Sequence, residues 1–270
     1  YYSQTQDWHH PDGVGNDWDD DPAGKVFRRY LDERCKPHLE ELLANYGPLA
    51  VVWFDTPMTM TRDESRELVD LVRARQPQCL VCGRIGNGLG DYTSFRDNRY
   101  ATTCAACDFE TPATMNRTWG HVRDDTAWRS GREQTWSLVE TVARGGNYLL
   151  NVGPDGAGLI PDGSRRALLD MGAWLERNGA AIHGAGPGPL TGCAPHVSTC
   201  HDGRIFLHLA RIQRAGRYAF AAPGLTLRGA RLLDGGATLP LERSGEGWLL
   251  AVPEAVFANL PVVVELLTGA

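Results

Sequence analysis

An alternation that stops near residue 185 constrains this chain more than any other feature. From Val26 onward, segments with apolar residues at helical spacing take turns with short runs that are apolar at consecutive positions. "LAVVWFDTP", residues 49 to 57, is one such run. "QCLVCGR" and "NYLLNVGP" are two more, and the segments between and around them, such as "RDESRELVDLVRARQP" and "SGREQTWSLVETVARGG", read as helices. Consecutive apolar positions predict strands covered on both faces, the usual state of a parallel sheet whose crossovers are helices. From about Ala185 the helical spacing disappears. "RIFLHLA", "GRYAFAA", "GWLLAVP" and "PVVVELL" then predict short strands separated by turn residues, an antiparallel β-sandwich.

The expected fold is therefore α/β plus β, with domains at 1–185 and 186–270. An eight-stranded β/α barrel needs eight strand and helix pairs in about 250 residues, and only four or five strands precede residue 185. The sheet is either open or a barrel without its first strands. The chain has 270 residues, 42% of them hydrophobic, ample for real cores. Its net charge is -6 and no Lys/Arg-rich run stands out, so nucleic acid and anionic membrane are not expected partners. No apolar stretch approaches the roughly 20 residues that cross a bilayer. The chain opens at Tyr1 without Met or a signal-like segment, so the native N-terminus is expected elsewhere.

Two C-x-x-C pairs, Cys79 with Cys82 and Cys104 with Cys107, are spaced much like a zinc ribbon. The first pair lies on a predicted strand, however, where residues three apart point to opposite faces. Cys193 and Cys200 flank a short loop and would pair in an exported protein. The acidic cluster Asp17, Asp19, Asp20 and Asp21 reads as a solvated loop in preference to a calcium site.

In parallel α/β folds, ligands sit outside the carboxyl ends of strands, so the acid that closes "AVVWFD" is expected in a site. The plain alternative is that Asp55 starts a turn or caps the next helix. The other strand ends supply a second carboxylate (Glu110), imidazoles (His9, His10), a guanidinium (Arg84) and flat aromatics (Trp8, Trp53, Trp119). Two carboxylates with aromatic and hydrogen-bonding neighbours suit glycoside hydrolysis. One acid attacks or stabilises the oxocarbenium-like transition state, the other protonates the leaving oxygen, and ring faces pack on sugar C–H groups. Each residue also has a structural reading: core for the indoles, loop for the imidazoles, an ion pair for Arg84, a cap for Glu110.

The motifs "YYSQTQDWHHPD", "LLANYGPLAVVWFD", "RIGNGLGDYTS", "FETPATMNRTWGH" and "GGNYLLNVGPDGAGLIP" occur in that order. With "MGAWLERNGAAIHG" they resemble the α-L-fucosidases of glycoside hydrolase family 29 over roughly residues 1 to 185. The resemblance implies a retaining hydrolase of fucosylated glycans that needs no metal or organic cofactor. Asp55 would be the nucleophile and Glu110 the acid/base, with Phe109 and His121 standing where the family carries Trp and Tyr; Asp91 and Asp97 are the fallback. His9 and His10 would bond fucose hydroxyls, Arg84 would bind near the ring, and Trp53 and Trp119 would line the pocket. The family's upstream His- and Trp-bearing segments do not occur here. That implies the C-terminal part of a catalytic barrel followed by a sandwich, with low or absent activity by itself. The rival expectations are a non-catalytic carbohydrate-binding protein of this fold and a zinc module. Homo-oligomerisation stays open, and a periplasmic or secreted location is favoured over a cytoplasmic one.

Overall fold

The computed structural model describes residues 1–210, 215–254, 256 and 261–269. They fall into two compact units, Tyr1–Ser94 and Phe95–Ala270. Among the described residues no helix is long and apolar enough to cross a membrane.

In the first unit, strand Tyr2–Ser3 runs parallel to Phe54–Asp55, with Tyr2 opposite Phe54 and Ser3 opposite Asp55. Val51–Val52 runs parallel to Leu80–Val81. Backbone bonds from Tyr2 N to Trp53 O and from Leu80 N to Ala50 O show that residues 50–55 form a middle strand with a neighbour on each side. Helix Arg62–Arg75 begins at a capping box, in which Thr61 and Glu64 each bond the other's backbone N–H. It buries Leu68, Val69 and Val72 against Leu39, Leu43, Val52, Phe54 and Val81. The helical stretch before it runs in three segments, Phe27–Tyr30, a π-turn at Leu31–Cys35, and Lys36–Asn45. Pro37 has no N–H to give the preceding turn, and the π-turn sits where that bond is missing.

The expectation of strands covered on both faces fails here. Val52 and Phe54 are buried, whereas Val51 is 37% exposed and its neighbour Leu80 is 47% exposed. Helices cover one face of this sheet; the other carries Tyr1, Ser3, Trp53 and Asp55. A run that is apolar at every position looks the same in sequence whether one or both of its faces are covered.

In the second unit, Phe109–Thr114 runs parallel to Gly146–Asn151, with Glu110 opposite Asn147. Phe109–Thr114 is buried throughout, but Leu149 on its partner is exposed, so this strand also departs from the buried expectation. Gly146 is required, because a Cβ there would lie 2.2 Å from the Phe109 ring. Helices Gly131–Val142 and Asp162–Asn178 follow, the first again opened by a capping box, Ser130 with Glu133.

From Gly186 the chain is antiparallel, as expected. One sheet runs in the order Thr238–Leu239, Leu227–Leu232, Val263–Thr268, Arg204–His208, Val197–His201, Gly186–Pro187, and a second in the order Gly216–Phe220, Gly247–Val252, Leu241–Ser244. Their inner faces share one core that includes Ile205, Leu207, Phe220, Leu250, Val264 and Leu266. The larger sheet's outer face packs Phe206 and Val263 against Trp136 and Trp174 of the two helices, and Trp174 Nε1 donates to Pro261 O at 2.7 Å. All seven cysteines are thiols. Cys193 and Cys200, whose pairing was tied to export, are both thiols here: that of Cys193 donates to His196 O and that of Cys200 to Pro187 O.

Candidate active site

Asp55 stands where the middle strand breaks. Thr56 and Met58, immediately beyond it, hold φ values of 56° and 38°. For a β-branched residue such as Thr56 that is a strained conformation, which persists only where neighbours enforce it. They do so here. Thr5 Oγ1 donates to Thr56 O at 2.7 Å, Ser3 Oγ and Thr56 Oγ1 are 2.8 Å apart, and Gln4 N donates to Asp55 O at 3.1 Å. Buried Gln4 also gives its side-chain amide to Arg84 O and Ile85 O, which ties the first strand to the turn that carries Arg84. From that turn Asn87 reaches back to Met60 O and Ser65 Oγ. Three strand ends are thus laced together around one carboxylate.

Both oxygens of that carboxylate have a donor. Arg84 Nη1 lies 3.1 Å from Oδ1, and the Tyr1 hydroxyl donates to Oδ2 at 2.8 Å. Trp53 holds both donors. The Arg84 guanidinium sits over its ring at 5.0 Å and Tyr1 stacks on it at 5.5 Å with an interplanar angle of 22°. Guanidinium and phenol together fix the orientation of the Asp55 carboxyl group. Among the expected residues, Asp55, Trp53 and Arg84 come together.

His9 and His10 have other surroundings. His10 is buried edge-on to Tyr30 at 5.4 Å, its Nδ1 accepts from Asp12 N, and its Nε2 lies 3.9 Å from Glu33. His9 is exposed, and its backbone N–H, like that of His10, donates to Asp7 Oδ1. Burial pushes the Asp7 carboxyl up, but these two amides and Arg34 outweigh it and hold the group below the usual range. A cleft of about 290 Å³ opens beside this turn, lined by Tyr1, Ser3, Gln6, Asp7, Trp8 and Asn16 among others.

Asp91, one fallback acid, is committed to structure: it takes the Arg73 guanidinium and the Val81 amide. Asp97 is exposed. In the second unit Glu110 is buried on its strand, and its carbonyl accepts from Phe95 N at 3.0 Å. Trp119 is half-exposed on a loop whose carbonyl at that residue accepts from Asn151 Nδ2 at 2.8 Å. The Cys79 thiol donates to Leu80 O and the buried Cys82 thiol to Phe54 O, while Cys104 and Cys107 are exposed.

Residues 1–180 match the family model described as Alpha-L-fucosidase. The chain belongs to the α-L-fucosidase family. A tissue α-L-fucosidase of Macaca fascicularis is 44% identical over 199 residues, 69% of this chain and 41% of that protein. An α-L-fucosidase of Dictyostelium discoideum is 26% identical over 260 residues, 87% of this chain and 55% of that one. The crystal structure of an α-L-fucosidase from Vibrio sp. strain EJY3 superposes with a TM-score of 0.90 at 28% identity, over 100% of this chain and 51% of that one. The chain thus spans about half the length of the curated relatives it matches.

Within this chain, sequence reasoning missed Tyr1, Ser3, Thr5 and Thr56. A signal for the first two was present. Strand residues alternate faces, so pairing "YYS" with "WFD" in parallel puts Tyr1 and Ser3 on the same side as Trp53 and Asp55.

Proposed function

We propose that this chain carries out retaining hydrolysis of α-L-fucosides by double displacement, on fucosylated oligosaccharides or glycoconjugates. Asp55 attacks the anomeric carbon and forms a fucosyl ester, while Glu110 gives its proton to the departing oxygen. Glu110 then takes a proton from water, which cleaves the ester and returns both carboxyls to their starting states. The observation that carries this reading is the Asp55 carboxylate, clamped on both oxygens by Tyr1 and Arg84 at a strained strand end. We further assign residues 1–185 to part of a β/α barrel, on the strength of its parallel strand pairs, and residues 186–270 to a sandwich domain. Arg84 and Trp53 would contact the fucose; Trp119 is assigned to the pocket and His9 and His10 to its hydroxyls on family likeness alone. Turnover by these 270 residues is expected to be low, because Val51 and Leu80 on the site-bearing face lie open to water.

Release of 4-nitrophenol from its α-L-fucoside tests the reading. Asp55→Ala should abolish it, and azide should restore it by attacking from the vacated side to give the β-L-fucosyl azide. Equal hydrolysis by Asp55→Ala would overturn the assignment. Fucose binding that survives Asp55→Asn unchanged, with no turnover by the parent chain, would favour a carbohydrate-binding protein instead.

A further inference from the structure

Trp8 is 74% exposed and Trp18 62% exposed, and their rings lie 5.0 Å apart at an angle of 30°. Two indoles on one loop left largely in water forgo a large burial gain, a pattern that marks binding surfaces. Trp8 forms part of the wall of the 290 Å³ cleft, whereas Trp18 stands outside that wall. The cleft shares Tyr1 and Ser3 with the surroundings of Asp55, and Tyr1 touches both the carboxylate and the cleft.

The loop that presents Trp8 is braced. Asp7 Oδ1 accepts the amides of His9 and His10 at 2.8 and 2.9 Å, and Val14 N donates to Thr5 O at 2.9 Å. Lys25 Nζ binds Gly13 O at 2.9 Å and Asp17 at 2.7 Å. Buried Asn16 donates to Trp8 O at 3.2 Å and to Asp20 at 3.3 Å, and its Oδ1 has no hydrogen-bond partner. A platform fixed in this way loses little conformational entropy when a ligand seats on it.

We propose that Trp8, backed by Trp18, stacks on a neutral pyranose on the leaving-group side of the fucosyl bond. The proposal rests on the fucosidase reading of Asp55. The ring whose anomeric carbon meets Asp55 has Tyr1 beside it, and the next ring of the glycan lies beyond Tyr1, in the cleft. There the C–H face of a pyranose covers the free face of Trp8, while Gln6, Asp7 and Asn16 meet its hydroxyls. The Asp7 carboxylate selects against acidic sugars by like-charge repulsion. Trp8 touches the ligand; Trp18 is a positioning residue that supports it.

Saturation-transfer NMR decides the matter. Asp55→Asn protein, which cannot turn the ligand over, is mixed with α-L-fucosyl-(1→3)-N-acetylglucosamine and, separately, the (1→6) isomer. At least one should show enhancement of the fucose methyl and of the N-acetylglucosamine ring protons. Adding Trp8→Ala should remove the second enhancement and keep the first, Trp8→Phe should restore it in part, and Trp18→Ala should weaken it. Because Trp8 is exposed, the variant should keep the parent's circular dichroism. An N-acetylglucosamine enhancement unchanged by Trp8→Ala, or absent with both isomers while the fucose methyl responds, would overturn the platform alone. A missing fucose methyl response in the Asp55→Asn parent would overturn the fucosidase reading, and the platform with it.

Discussion

Asp55 and Glu265 are both carboxylates paired with arginine, and they sit in regions built for opposite ends. Glu265 lies within the sandwich strand Val263–Thr268, its side chain 6% exposed, between Arg204 at 2.7 Å and Arg231 at 2.7 Å from neighbouring strands. Burial raises its carboxyl, and the two guanidiniums outweigh that and hold it below the usual range. The strand runs straight through. Asp55 has one arginine and one phenol, terminates its strand, is followed by two residues at positive φ, and has a cleft beside its phenol. Ion pairing alone therefore does not tell the two apart. What separates the two is strand-end position, enforced strain and access for a ligand.

Substitutions can break this contrast. Asp55→Asn should cost at least about 10³-fold in kcat while shifting Tm by no more than about 2 °C, as read by fucoside turnover and thermal unfolding; a large Tm loss would put Asp55 in the same class as Glu265. Tyr1→Phe removes one hydrogen bond to an ionised group, worth about 1.5–3 kcal/mol, so turnover should fall about 10- to 100-fold. Glu265→Gln should leave turnover alone and lower stability by about 1 kcal/mol, modest because its partners are half in water, or about 2–4 °C in Tm.

The sandwich also sharpens the contrast through pH. Burial pushes the imidazole of His208 down to about 3, with Thr199 Oγ1 at 2.8 Å from its Nε2. Its folded pKa lies below the unfolded value of about 6.5, so the neutral form is the one the fold favours. The stability it contributes is complete above about pH 6.5 and is lost as pH falls toward 3, by up to about 1.4 kcal/mol per pH unit. Glu265 acts with the same sign lower down, since its depressed carboxyl stabilises above its unfolded pKa and less as pH falls through its folded one. Denaturant unfolding at pH 7 and 5 should show the loss in the parent and a smaller one in His208→Asn. An equal loss in both would show that His208 is not the group responsible.

Much of this was legible in the sequence. The helices in "RDESRELVDLVRARQP" and "SGREQTWSLVETVARGG", the loss of helical spacing from about Ala185 and the acid at the end of "AVVWFD" each follow from local chemistry that tertiary packing does not override. The one-sided burial of the strands was not legible, because Val51 and Leu80 are as apolar as Val52 and Val81, and only the packed helices tell the faces apart. The contacts of His10 with Tyr30 and Glu33 and the strain at Thr56 depend on residues distant in sequence. So does the commitment of Asp91 to Arg73 and the Val81 amide. None of these has a spacing signature.

The most direct test is to incubate the chain with 2-deoxy-2-fluoro-α-L-fucosyl fluoride and map the adduct by peptide mass spectrometry. Fluorine at C2 disfavours the cationic transition states of both steps, and fluoride leaves readily enough for the first to proceed, so the ester accumulates even in a slow enzyme. A single 2-fluorofucosyl group on Asp55, absent in Asp55→Asn, is the predicted result. Labelling at another carboxylate, or no adduct although fluoride is released, would contradict the assignment of Asp55 as the nucleophile.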